Sequence, residues 1–107
     1  MPSYLVQVSY SSGSLAALIK KPQDRLAAVS KSVEKLGGKI EGGWLSFGDY
    51  DVVVVLDMPD NVSAAALSMA LGAGGGCRNV KTTPLMSMEE SLLAMKKAGT
   101  SGYKPAK

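Results

Sequence analysis

A chain of 107 residues is of single-domain size; its 46% apolar residues can build a core, and its 20% charged residues fall below the usual share of about a quarter. The net charge of +3 rests partly on Lys104 and Lys107; without them ten basic residues face nine acidic ones, which leaves no concentrated basic face for nucleic acid, and no apolar run reaches the ~18 residues of a membrane span. The sequence contains no histidine, which excludes Ser-His-Asp and Cys-His catalysis, a histidine haem ligand and the usual zinc sites, so neither metal nor cofactor is expected.

Met1-Pro2-Ser3-Tyr4 leads straight into a strand with no signal-peptide pattern, and the single cysteine, Cys77, has no intrachain partner. Both features lead us to expect a reducing cytoplasm. Ser3 to Tyr10 reads as the first strand, with Tyr4, Val6, Val8 and Tyr10 on one face and Leu5, Gln7 and Ser9 on the other. A short helix follows from Leu15 to Lys20, with Ser14 as its cap and Pro22 as its stop. A longer helix is expected over Asp24 to Leu36, where Leu26, Val29, Val33 and Leu36 form an apolar stripe. Gly37-Gly38 ends it, one of the pair in the left-handed conformation.

Lys39 to Phe47 is the second strand, and its paired Gly42 and Gly43 indicate a bulge or the close approach of another backbone or a ligand. A tight turn, Phe47-Gly48-Asp49-Tyr50-Asp51, joins it to Val52-Val53-Val54-Val55-Leu56. Five β-branched or apolar residues without alternation indicate a strand buried on both faces. Helices can cover one face; a second copy of the chain is the preferred cover for the other, and the chain's own tail is the alternative. Pro59-Asp60-Asn61 opens an Ala-rich helix over Val62 to Leu71, with Asp60 or Asn61 as cap, and Gly72 to Gly76 closes it. Cys77 to Thr83 is the fourth strand, ended by Pro84. Ser87-Met88-Glu89-Glu90 fits a capping box for a last helix to about Ala98, with Met88, Leu92 and Met95 towards the core. Residues 1–98 therefore form one domain, and residues 99–107 are expected to be a flexible C-terminal tail. The order of elements is that of an α+β, ferredoxin-like split βαβ sandwich, a four-stranded antiparallel sheet with helices on one face.

The Gly48, Tyr50 and Asp51 turn, with Asp49 standing between Gly48 and Tyr50, resembles the signature of the GYD domain family, named for a Gly-Tyr-Asp turn. The start of the helix at Lys21-Pro22-Gln23-Asp24-Arg25, the Gly-rich end of the Ala-rich helix and Thr83-Pro84-Leu85-Met86 are similar to the family as well, and the resemblance spans about residues 3 to 98. It implies a dimeric α+β barrel in which two sheets pack face to face, and no particular activity, since the family as a whole is functionally uncharacterised. Related barrel families include cofactor-free monooxygenases, haem-degrading enzymes and lactone isomerases, an analogy of fold only.

Candidate ligand-binding residues are Tyr10, Arg25, Trp44, Asp49, Tyr50 and Asp51. Asp49 and Asp51 are suited to acid–base work, but the plainer reading is a hairpin turn in which Gly48 takes positive φ and an Asp bonds nearby backbone. Trp44, Tyr4, Tyr10 and Tyr50 can line a flat pocket, or serve as ordinary packing. Arg25 can hold an acidic ligand, although an ion pair with Asp49, Asp51 or Glu41 is the preferred reading. Gly72-Ala73-Gly74-Gly75-Gly76 lacks the strand–loop–helix context and the Gly-Lys-Ser/Thr of a phosphate loop and reads as a helix terminator. Cys77 has no identifiable base and reads as a buried free thiol. The preferred function is a small homo-oligomeric domain, a homodimer or a multiple of dimers, that binds a small organic molecule or serves interaction. The alternative is a cofactor-free monooxygenase- or isomerase-like enzyme acting on an aromatic or quinone-like substrate near Trp44 and Tyr50, with a carboxylate as base.

Overall fold

The structure, a computed structural model, describes residues 1–106. Four strands, β1 (Ser3–Tyr10), β2 (Lys39–Leu45), β3 (Val52–Asp57) and β4 (Cys77–Leu85), form one antiparallel sheet in the order β2-β3-β1-β4. Four helices, α1 (Ser12–Lys20), α2 (Arg25–Lys35), α3 (Asn61–Ala73) and α4 (Met88–Gly99), complete the chain. The architecture is α+β and ferredoxin-like, as the order of elements predicts.

The alternation read in β1 sets the layers. Tyr4, Val6 and Val8 stand opposite Leu56, Val54 and Val52 of β3 and bury one face of the sheet together with Val33 of α2 and Ala64 and Leu67 of α3. The second face carries Leu5, Val53, Val55 and Trp44, and no helix covers it. The burial of β3 is therefore one-sided within the chain: Val54 and Leu56 are buried, while Val53 and Val55 stay partly exposed.

Several boundaries differ from the sequence reading, each for a local reason. Helix α1 starts one turn earlier than expected because Ser11, with extended backbone, is the cap and accepts a hydrogen bond from the Ser14 amide. Asp24 caps α2 and Asp60 caps α3. Strand β4 runs through Pro84 instead of ending there; it is an edge strand, where a residue without an N–H breaks no ladder. Gly37 (φ 85°) and Gly48 (φ 139°) take the positive φ expected of them.

The largest departure is α4. Its capping box forms as expected, with Ser87 and Glu90 bonded to each other's backbone amides. Yet Met88, Leu92 and Met95, expected in the core, are 83%, 58% and 66% exposed, because α4 makes no substantial contact with the other elements. The radius of gyration of 16.9 Å, against about 13 Å for a compact chain of this length, records this projection. Residues 100–106 are exposed and form neither helix nor strand, and Lys107 lies outside the described residues.

Candidate functional site

Between the sheet and the helices lies a half-open cleft of about 570 Å³. Its floor is Val6, Val8, Val52 and Val54; Leu15, Leu18 and Ile19 of α1, Leu26 and Val29 of α2 and Leu67 and Leu71 of α3 wall it. Apolar walls of this kind, with a few polar groups at one end, are what a small organic ligand needs. The polar end gathers Tyr10, Gln23, Arg25 and Cys77, which also line an adjoining recess of about 190 Å³ with Ser14 and Gly76.

Two bulges shape the cleft. Near the end of β1 the register with β4 shifts, so that Ser9 faces Asn79 while Tyr10 faces Cys77, with Arg78 as the extra residue. The shift puts the Cys77 thiol beside the Tyr10 ring at the polar end. In β2 the extra residue is Glu41: Ile40 faces Leu56, and Gly42 already faces Val55. The two glycines that follow serve opposite faces. A Cβ on Gly43 would lie 2.6 Å from Leu26 Cδ1, so α2 seats its leucine on the bare backbone. A Cβ on Gly42 would lie 2.9 Å from Trp44 Cη2, so the indole folds over Gly42 on the uncovered face. The expected bulge is present, and what comes close to the two glycines is the side chains of Leu26 and Trp44, not another backbone or a ligand.

Among the described residues Arg25 is the one cation of the cleft, and the ion pair preferred from sequence does not form. Among the described residues the only salt bridge joins Lys39 and Glu41 at 3.4 Å, while Arg25 Nη1 donates to Gln23 Oε1 at 3.4 Å. Geometry explains the correction. Asp51 Oδ2 accepts the Tyr10 amide at 2.8 Å, Glu41 is held by Lys39, and Asp49 lies in the exposed turn. The Arg25 charge is felt instead by its neighbours in the cleft. Burial raises the pKa of the Tyr10 phenol above its usual value, and that of the Cys77 thiol likewise, with Arg25 opposing each rise. Both groups are therefore neutral at physiological pH, and the phenol remains a hydrogen-bond donor.

The remaining candidates separate from the cleft. The turn is docked on β1: the Asp51 amide donates to the Val8 carbonyl at 2.8 Å, and Ser9 Oγ donates to the Asp49 carbonyl at 2.6 Å. Ser46 closes the turn through its amide to the Asp51 carbonyl and its hydroxyl to the Tyr50 carbonyl. Asp49, Tyr50 and Asp51 thus hold the hairpin, and none of the three lines the cleft. Trp44 reaches the cleft rim between Gly43 and Leu45, but its side chain is turned to the uncovered face and is 61% exposed overall. Tyr4 is fully buried, its hydroxyl donating to Asn61 Oδ1 at 2.5 Å. The structure therefore brings Tyr10 and Arg25 together, leaves Trp44 at the rim, and removes the other three. Sequence reasoning missed Gln23, Asp24 and Cys77 as cleft residues, as well as the α1 stripe of Leu15, Leu18 and Ile19, whose i, i+3, i+4 spacing was the available signal.

Among the described residues no group of three or more acidic or cysteine side chains is placed to hold a metal ion, and no helix is long and apolar enough to cross a membrane. No curated protein matches the chain. A crystal structure of FFRP-DM1 is 11% identical with a TM-score of 0.55, covering 80% of this chain and 100% of its own, a likeness of fold alone. An uncharacterized NIPSNAP domain protein from Burkholderia xenovorans is 14% identical with a TM-score of 0.48, covering 99% of this chain and 100% of its own. The model of the GYD domain matches residues 4–95, a span that takes in the whole sheet, the docked turn and the cleft, and the chain belongs to the GYD domain family.

Proposed function

We propose that this protein is a small-molecule-binding domain that works as a homodimer. The observation that carries the binding reading is the apolar cleft of about 570 Å³, inside the range of about 300–1,000 Å³ common for ligand sites, with Arg25 and Tyr10 gathered at one end. Dimerisation is supported by two apolar surfaces left uncovered: the sheet face with Leu5, Val53, Val55 and Trp44, and the side of α4 with Met88, Leu92 and Met95. Packing two sheets face to face would remove the first from water and give a dimeric α+β barrel, and α4, which makes no substantial contact with its own body, would offer its apolar side to the partner. A reducing cytoplasmic setting is part of the proposal and is supported by the single, half-buried Cys77 thiol. The enzymatic alternative needs a base in the cleft. The one carboxylate there, Asp24, is exposed and caps α2 through the Leu26 amide at 2.9 Å, so no observation favours catalysis over binding.

Native mass spectrometry of the freshly purified, untagged protein tests the proposal. The expected spectrum is a dimer or a multiple of dimers, part of it carrying a reproducible small organic mass that is lost on denaturation. A monomer would remove the assembly reading. A protein that arrives without added mass and takes up none of a panel of apolar small molecules would remove the binding reading.

A further inference from the structure

We infer that the natural ligand of the cleft is a monocarboxylate, an apolar body with a single carboxylate head held by Arg25 and Tyr10. This inference rests on the binding reading above and goes on to name the class of molecule.

Three observations carry it. The first is a charge without a partner. Arg25 stands at N1 of α2, lines both the cleft and the recess at its polar end, and meets no carboxylate among the described residues. Its one hydrogen bond is long, 3.4 Å to Gln23 Oε1, and an acceptor bound more tightly would displace it easily. A guanidinium offers a planar fork of donors that matches a carboxylate two to one. The second is the Tyr10 phenol, which lines the cleft and the recess together with Arg25; like any phenol it is protonated at physiological pH, and burial only raises its pKa further, so it can donate to an oxygen without repelling one. The third is the count of charges. Among the described residues no lysine lines the cleft, and Asp24 sits at its rim. One cation suits a head of charge −1; a phosphate or dicarboxylate would leave a second negative charge unmatched, which Asp24 would repel.

The body follows from the walls. Apart from the polar end, Asp24 and Trp44 at the rim, the side chains lining the cleft among the described residues are Val, Leu, Ile and Pro22, which carry no donor or acceptor. At roughly 30 Å³ per non-hydrogen atom, the share of one water molecule in the liquid, about 570 Å³ holds on the order of 20 atoms when filled. Because the cleft is half open, bodies of about eight to fifteen carbons fit without a polar substituent at the far end.

Isothermal titration calorimetry on the full chain, with octanoate and 2-naphthoate beside their neutral isosteres octanamide and 2-naphthamide, separates this inference from the one beneath it. The acids are expected to bind about tenfold more tightly than the amides, because a carboxylate brings a full charge and two acceptor oxygens to the guanidinium where an amide offers one neutral acceptor. The substitution Arg25→Gln should weaken the acids about tenfold and the amides much less, so that the preference disappears. Arg25 is exposed, so the variant should fold; an unchanged melting temperature serves as the control, and Tyr10→Phe should reduce the acid preference by a few-fold as a second variant. Binding of acids and amides with equal affinity, or a preference that survives Arg25→Gln, overturns the carboxylate assignment and leaves the binding reading in place. Failure of all four probes to bind overturns both.

Discussion

Filling the cleft is the most direct test that it is space and not packed core. Val54 is 4% exposed and forms part of the cleft floor at the centre of the sheet. Replacing it with Phe keeps a residue that suits a strand and directs a ring into the cleft. If the ring covers cleft wall now open to water, roughly 40 Å² of additional apolar area at about 25 cal/mol/Å² contributes about 1 kcal/mol of stability. For a domain of this size that raises the melting temperature by about 4–8 °C. The same ring occupies ligand space, so octanoate or naphthoate binding should fall at least tenfold. In a filled core the extra atoms would instead cost about 1–3 kcal/mol through strain. Thermal unfolding by circular dichroism, with urea titration to check that the m-value is unchanged, distinguishes the two. A fall in melting temperature with ligand affinity intact would refute the reasoning, since it would place both the ring and the ligand elsewhere.

The docked turn gives a second prediction: Asp51→Ala should lower stability by about 1.5–3 kcal/mol, because it strips the Tyr10 amide of a charged acceptor, whereas Asp49→Ala should change little, since Asp49 contributes a backbone carbonyl; urea midpoints of the two variants check this. Alkaline pH should weaken the fold. Burial raises the Cys77 and Tyr10 pKa values, so the unfolded chain ionises first as pH climbs past about 8.5 for the thiol and about 10 for the phenol; stability should be level below pH 8 and decline above it, while a Cys77→Ala, Tyr10→Phe double variant should decline less. Placing charges on α4 with Leu92→Asp and Met95→Asp should leave the melting curve of a dilute monomer unchanged but shift the dimer towards monomer in sedimentation. If the mass distribution does not move, α4 takes no part in assembly.

The sheet was legible in the sequence because its information is local. Alternation through Tyr4, Val6, Val8 and Tyr10 assigned the inner face, and the flanking Gly, Pro and Ser placed the turns within a few residues. Helix α4 was legible as a helix but not as to what it meets: an apolar stripe states that a face seeks cover and is silent on which chain provides it. The site was only half legible. Arg25 and Tyr10 could be picked out by residue type, yet the preferred ion pair for Arg25 ignored that Asp51 is claimed by a backbone amide 41 residues away. The cleft itself could not be read, because a void is set by the distance between layers, and that depends on how far Leu26 sinks onto Gly43.

Gly42 and Gly43 are adjacent codons with independent consequences. A methyl added at position 43 would press on Leu26 and alter the volume offered to a ligand; a methyl at position 42 would press on the indole of Trp44 and alter the surface offered to another subunit. The cleft and the uncovered sheet face can therefore be altered separately by single substitutions one step apart on an edge strand, without touching the buried valines that hold the sheet together.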